Sequence, residues 1–128
     1  MISKDKLEGY MIKLSLDYNE ISENTWIIKD DSKSLENVVV MVSDPLVILR
    51  VKVMETPQSQ REKLYEALLK LNASDMLHGA YALEGNNVII VDSLEAETMD
   101  LEEFQASLDA IGFALSQHYK VLSQYRNK

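Results

Sequence analysis

Apolar positions in the first sixteen residues fall at helical spacing, with Leu7, Tyr10, Met11 and Leu14 at i, i+3, i+4 and i+7, the stripe of an amphipathic helix. Ser3 stands where an N-cap belongs, so the pattern predicts a helix over about residues 3 to 16, with Gly9 its weak point. Past Asp17 the period changes to two. TWIIKD and VVVMVSD are short and β-rich, and the polar run DDSKSLEN between them reads as a turn. SDP at Ser43 to Pro45 is turn chemistry again. In the following PLVILRVKVME, Val47, Leu49, Val51 and Val53 form one wholly apolar face, and Leu46, Ile48, Arg50 and Lys52 form one that becomes charged toward its end. Three consecutive strands with short connections predict an antiparallel meander.

Leu64, Leu68 and Leu71 restore the helical period in TPQSQREKLYEALLKLN, where Thr56 is placed to cap and Pro57 suits the first helical position. AYALEG and NNVIIVDSL then bracket Gly85-Asn86-Asn87, a hairpin signal because Gly and Asn tolerate positive φ. The last segment, DLEEFQASLDAIGFALSQHYKVLSQYR, begins with Asp100 and Glu103 in capping-box spacing. Its seam Leu101, Phe104, Leu108, Ile111, Leu115, His118, Leu122 and Tyr125 alternates by three and four for about three and a half heptads. Phe113, Tyr119 and Val121 lie off that seam, so the helix carries apolar surface for a second contact besides the sheet. The predicted order is α-β-β-β-α-β-β-α, an α+β fold in which an antiparallel sheet packs against helices.

Composition narrows the class. A chain of 128 residues with 46% hydrophobic and 27% charged residues has the make-up of a single globular domain, here residues 1–128, large enough to bury its own core. With no cysteine, disulfides, thiolate metal sites and Cys nucleophiles are excluded. The early charges Lys4, Asp5, Lys6, Glu8 and Lys13 break the apolar core that a signal peptide needs, and no stretch reaches the roughly 20 apolar residues of a membrane span. A cytoplasmic protein is expected. A net charge of −8 repels phosphate backbones and anionic headgroups, which makes nucleic acid and membrane poor partners.

Candidate chemistry is sparse. The two histidines, His78 and His118, belong to no nucleophile signature. His78, before Gly79 at a helix-to-strand junction, reads as a turn residue, with a general base as the alternative; His118, on the helical seam, reads as a packed histidine, with a pH switch or ligand as the alternative. The carboxylate groups Asp30 with Asp31, Asp92 with Glu95 and Glu97, and Glu102 with Glu103 lack calcium-loop spacing. The four glycines are isolated, unlike phosphate-cradling loops. No catalytic, cofactor-binding or metal-binding residue is expected. Six methionines and the single Trp26 read as core, with an adaptable binding surface and an interface anchor as their alternatives. VVVMV and LVILRVKV point to protein binding, because strand edges of that composition need a dimer mate, a helix or a client segment to cover them.

A helix ending in LLKLNA, the hairpin HGAYALEGNNVIIVDSL and the acidic start DLEEFQASLDAIG of a long helix resemble the second half of the type III secretion chaperone-like fold, which includes the Tir-chaperone family and YbjN-type bacterial domains. The resemblance covers Thr56 to Tyr125 best, and the preceding helix and strands, with Trp26, agree in order. It implies a small, acidic, commonly homodimeric bacterial protein without catalytic residues, a non-enzymatic module that holds a partly unfolded client segment. Leu71, Asn72, Gly79, Leu83, Gly85, Val88 and Leu94 would be framework positions, while His78 departs from the aromatic or apolar residue expected before Gly79. Two other readings stay open: a YbjN-type regulatory domain that binds a specific folded partner, and a small ligand-binding domain or enzyme using His78.

Overall fold

The computed structural model describes residues 4–126. Helix α1 (Lys4–Lys13) is followed by strands β1 (Asp17–Ser22), β2 (Thr25–Asp30), β3 (Leu35–Ser43) and β4 (Leu46–Glu55), helix α2 (Arg61–Ser74), strands β5 (Ala80–Glu84) and β6 (Asn87–Glu95), and helices α3 (Leu101–Gln117) and α4 (Tyr119–Ser123). All strand pairs are antiparallel, and the sheet order is β1-β2-β3-β4-β6-β5. The expected α+β class therefore holds. Two elements differ from expectation: a strand precedes TWIIKD, and the long last helix breaks at His118. The cap expected from Ser3 lies outside the described residues.

Strand β1, DYNEIS, escapes a pattern search because an edge strand of polar residues shows no alternation; only Tyr18 is even half-buried. It joins β2 through Glu23-Asn24, with Asn24 at φ 61°, a conformation that Asn tolerates. The hairpin β3–β4 turns at Asp44-Pro45, whose peptide bond is cis. Late in β4 the register against β6 shifts between Lys52 and Met54. Met54 is therefore the residue that is buried, at 5% exposure, and Val53 of the expected apolar face is only half-buried.

The start of α2 also differs. Thr56 does not cap it: its N–H and Oγ1 both donate to the Asn86 carbonyl, at 2.8 and 3.2 Å, tying the end of β4 to the β5–β6 turn. Pro57 is buried outside the helix, its carbonyl accepting from Arg61 Nε. Gln60, at φ 61°, occupies the cap position and makes no side-chain cap bond. By contrast, Asp100 and Glu103 form the expected capping box: Glu103 N–H donates to Asp100 Oδ1 at 2.8 Å, and Asp100 N–H donates to Glu103 Oε1 at 3.1 Å.

One cluster makes the core. Leu7 and Met11 of α1, Leu64 and Leu68 of α2, and Phe104, Leu108, Ile111 and Ala114 of α3 meet Trp26, Ile28, Val38, Val40, Val47, Leu49, Val51, Tyr81, Val88 and Ile90, which share one face of the sheet. Trp26 is fully buried, and its Nε1–H donates to Glu8 of α1 at 2.9 Å, so the one polar atom of the ring has a partner. Met11, Met54 and Met99 are core fillers too. Gly112 lets α3 come against the Lys33 carbonyl, where a Cβ would collide with backbone.

Candidate functional site

The opposite face of the sheet carries apolar residues and no helix among the described residues. By register, Ile27 of β2, Val39 and Met41 of β3, Ile48 of β4 and Ile89 and Val91 of β6 alternate with the core positions and point outward. Ile89 is 6% exposed yet stands outside the core cluster. The other five are half-buried. Around them lie Lys29, Lys52 and the Arg50–Glu84 ion pair, whose Nη1 and Oε2 are 2.8 Å apart. An apolar centre with a charged rim is the layout of a protein contact.

Among the described residues no further strand pairs with either sheet edge, and the edges are not the strands whose composition suggested open edges. VVVMV and LVILRVKV form β3 and β4, central strands paired on both sides. The free edges belong to β1, where Ile21 is 54% exposed, and to β5, where Leu83 is 49% exposed. The β1 edge offers backbone N–H and C=O groups to an added strand, whereas at β5 the Asn72 side chain already takes both backbone groups of Tyr81.

On the helical layer, a depression of about 420 Å³ lies between the segment after α2 and the outer side of α3, lined by Leu77, Ala106, Ala110 and Phe113, with Asp75, His78 and Asp109 at its border. Leu77 and Phe113 are large apolar residues at 88% and 61% exposure. His78 is exposed and makes no hydrogen bond or ion pair among the described residues, and neither neighbouring carboxylate holds it.

His118 is the histidine with partners. It is buried where α3 gives way to α4, its Nδ1 2.7 Å from the Tyr81 hydroxyl and its Nε2 3.1 Å from Asp75 Oδ2. The neutral ring satisfies both contacts if the tyrosine hydroxyl donates to Nδ1 and Nε2–H donates to the carboxylate. Burial, and then the Asp75 carboxylate nearby, pushes the Tyr81 phenol well above its ordinary value. The Ser74 hydroxyl first, and His118 second, hold the Asp75 carboxyl below its ordinary value. Asn72, expected to end α2, lies in its last turn and grips β5: its Oδ1 accepts from Tyr81 N–H at 2.7 Å and its Nδ2 donates to the Tyr81 carbonyl at 3.1 Å. Gly79 follows at φ +76°, where a Cβ would stand 2.7 Å from the Val91 carbonyl oxygen.

The framework role expected for Asn72 and Gly79 is thus visible as a corner that orients β5 against α2, α3 and β6. His118, Tyr81 and Asp75 are 37 and 43 residues apart in sequence, so no local spacing marked them as a set. The outward apolar face did leave a signal, because in VVVMV and NVIIV both alternating sets are apolar.

A two-layer α+β module, an antiparallel six-stranded sheet with helices on one face, is the secretion-chaperone fold that the sequence resembles. The chain belongs to the CesT_Tir_1 family, whose model matches residues 3–128. No match was found among curated protein sequences. Among solved structures, a chain of the heterodimeric ExoU–SpcU complex from the type III secretion system of Pseudomonas aeruginosa superposes with a TM-score of 0.74 at 12% identity, covering 92% of this chain and 98% of that one. YbjN, described as a transcription regulator candidate from E. coli, gives 0.68 at 15% identity and 93% coverage of both chains. A chain of the HopA1–SchA chaperone–effector complex gives 0.63 at 9% identity, covering 96% of this chain and 91% of that one.

Proposed function

We propose that this protein is a non-enzymatic, chaperone-like binding module that holds an extended segment of another protein and works in the cytoplasm as a homodimer. The observation that carries the reading is the sheet face of Ile27, Val39, Met41, Ile48 and Val91, which no described helix covers, beside the free edge of β1. An extended chain added at an edge gains backbone hydrogen bonds, and its alternate side chains extend an apolar face already present. Family membership and the likeness to chains of chaperone–effector complexes support the same reading. It needs no reaction centre, and His78, with no hydrogen-bonded partner, offers no activated base.

The test uses fluorescently labelled 15-residue peptides of alternating apolar and polar residues, with proline-interrupted versions as controls, followed by anisotropy. The alternating peptide should bind in the micromolar range, the proline versions at least tenfold more weakly, and Met41→Lys should weaken the first by a similar factor. Equal binding of both peptide types, or none, sinks the client-holding reading. The likeness to YbjN favours a second reading, a regulatory module for one folded partner; that reading gains if all extended peptides fail.

A further inference from the structure

We propose that the depression between the α2–β5 connection and the outer side of α3 is a docking site for another protein, and that it takes a segment in which large apolar side chains stand between lysine or arginine residues. The site lies on the helical layer, apart from the sheet face and the β1 edge to which client holding is assigned above.

Its shape follows from α3. Ala106, Ala110 and Phe113 fall at i, i+4 and i+7 within one unbroken helix, so they share a side. The small alanines leave room for a depression of about 420 Å³, and Phe113 and Leu77 border it at 61% and 88% exposure. Leu77 is not exposed for want of anchoring. Met76 before it packs against the core, and Asp75 is hydrogen-bonded to both Ser74 and His118. Behind it Gly79 lies close against the Val91 carbonyl, and Asn72 holds both backbone groups of Tyr81. A partner therefore meets apolar side chains on backbone that is already fixed at both ends, which lowers the entropy lost on binding.

Charge selects the occupant. Asp75 and Asp109 line the depression, and no lysine or arginine among the described residues does. Both carboxylates are open to a partner, with side chains 45% and 54% exposed. Asp75 already accepts from Ser74 and His118, but its two oxygens keep further lone pairs. Asp109 reaches a cation only at Lys33, 4.0 Å away. An apolar patch bordered by carboxylates favours a partner whose apolar side chains come with cations beside them. Arginine suits the border, because its stem can lie along Phe113 or Leu77 while the planar head meets a carboxylate with two hydrogen bonds. The same charges argue against a second copy here: two such depressions, on chains of −8, would bring carboxylates together with no cation between them. Salt screens charges beyond about 8 Å at physiological ionic strength, so the local carboxylates set the selectivity.

The experiment is fluorescence anisotropy of the full chain with labelled Gly-Ser peptides that carry Arg-Leu-Phe-Arg, Glu-Leu-Phe-Glu or Arg-Ser-Ser-Arg at the centre. Wild type is compared with Leu77→Ser, Phe113→Ser, Asp109→Lys and Met41→Lys. The residues changed at the depression are all exposed, and circular dichroism checks that each variant remains folded. The Arg-Leu-Phe-Arg peptide should bind wild type and Met41→Lys alike. Wild type should bind the other two peptides, and the two serine variants should bind Arg-Leu-Phe-Arg, roughly tenfold more weakly. Asp109→Lys should shift the preference toward Glu-Leu-Phe-Glu. Equal binding of all three peptides, no binding, or Arg-Leu-Phe-Arg binding that survives both serine variants overturns the inference. Binding abolished by Met41→Lys would put the peptide on the sheet, which overturns this site and leaves client holding intact. Loss of a dimer in Phe113→Ser, read by sedimentation, would give the depression to a second copy, and displacement of the peptide by equimolar phenethylammonium would give it to a small organic cation. Each of those results overturns the assigned partner.

Discussion

The two faces of the sheet are built from the same kinds of residue and meet different surroundings. Val40 and Leu49 on one face are fully buried under α1, α2 and α3. Val39 and Ile48, their immediate neighbours along the same strands, look out from a face that no described helix covers. Apolar character alone therefore does not say which side of a strand is core. What decides is where the amphipathic helices find room, and here all three pack on the side of Trp26.

That contrast predicts that the largest loss of stability comes from the covered face. Leu49 is 0% exposed and belongs to a central strand of the core cluster. Leu49→Ala should cost about 3 kcal/mol, from lost transfer energy and the cavity left behind, read as a lower denaturation midpoint with an unchanged slope in urea.

A smaller loss is expected at the corner that fixes β5. His118→Ala removes a buried ring and leaves the Tyr81 hydroxyl without its partner, which together should cost about 2 kcal/mol. It should also change the response to acid. The Asp75 carboxyl is depressed in the folded protein, by Ser74 first and by His118 second. The stability it contributes is complete above the unfolded carboxyl value and is lost as pH falls through the lower folded value. Wild type should therefore lose this contribution below about pH 4, and the His118→Ala profile should be flatter there. Equal acid sensitivity would show that His118 does not help hold Asp75 ionised.

How much of this was legible in the sequence follows from the range of each interaction. Both hairpins with strong alternation, the seam of α3 and the Asp100–Glu103 box rest on contacts within a few residues, and all were readable. Strand β1 was not, because its solvated residues impose no period. Nor was the start of α2, where Thr56 was expected to cap the helix and the Asn86 carbonyl, 30 residues away, took its hydroxyl instead. On the seam, the structure buries Leu108 at 1% exposure and packs Leu115 against the core. The off-seam residues Phe113, Tyr119 and Val121 stay exposed. Sequence periodicity identified two apolar sides of the helix and could not say which one the sheet would take. The outward sheet face posed the same problem, and the long-range trio His118, Tyr81 and Asp75 had no period at all.

The smallest change in stability is expected on the open face. Met41→Lys puts a charged head at a half-buried position with water beside it, and the long stem can lie along the strand surface while the ammonium stays solvated. Its cost should be about 1 kcal/mol or less, well below that of Leu49→Ala, although the peptide-binding loss is expected to be at least tenfold. This divergence sharpens the comparison between the faces, because a residue selected for the fold loses stability when changed, whereas one that serves a partner loses binding. The measurement is urea unfolding of Met41→Lys and Leu49→Ala at two protein concentrations. Equal losses at both concentrations would mean that the outward face is already covered within the single chain, which contradicts the open surface. A Met41→Lys loss that grows with protein concentration would instead place a second copy on the sheet.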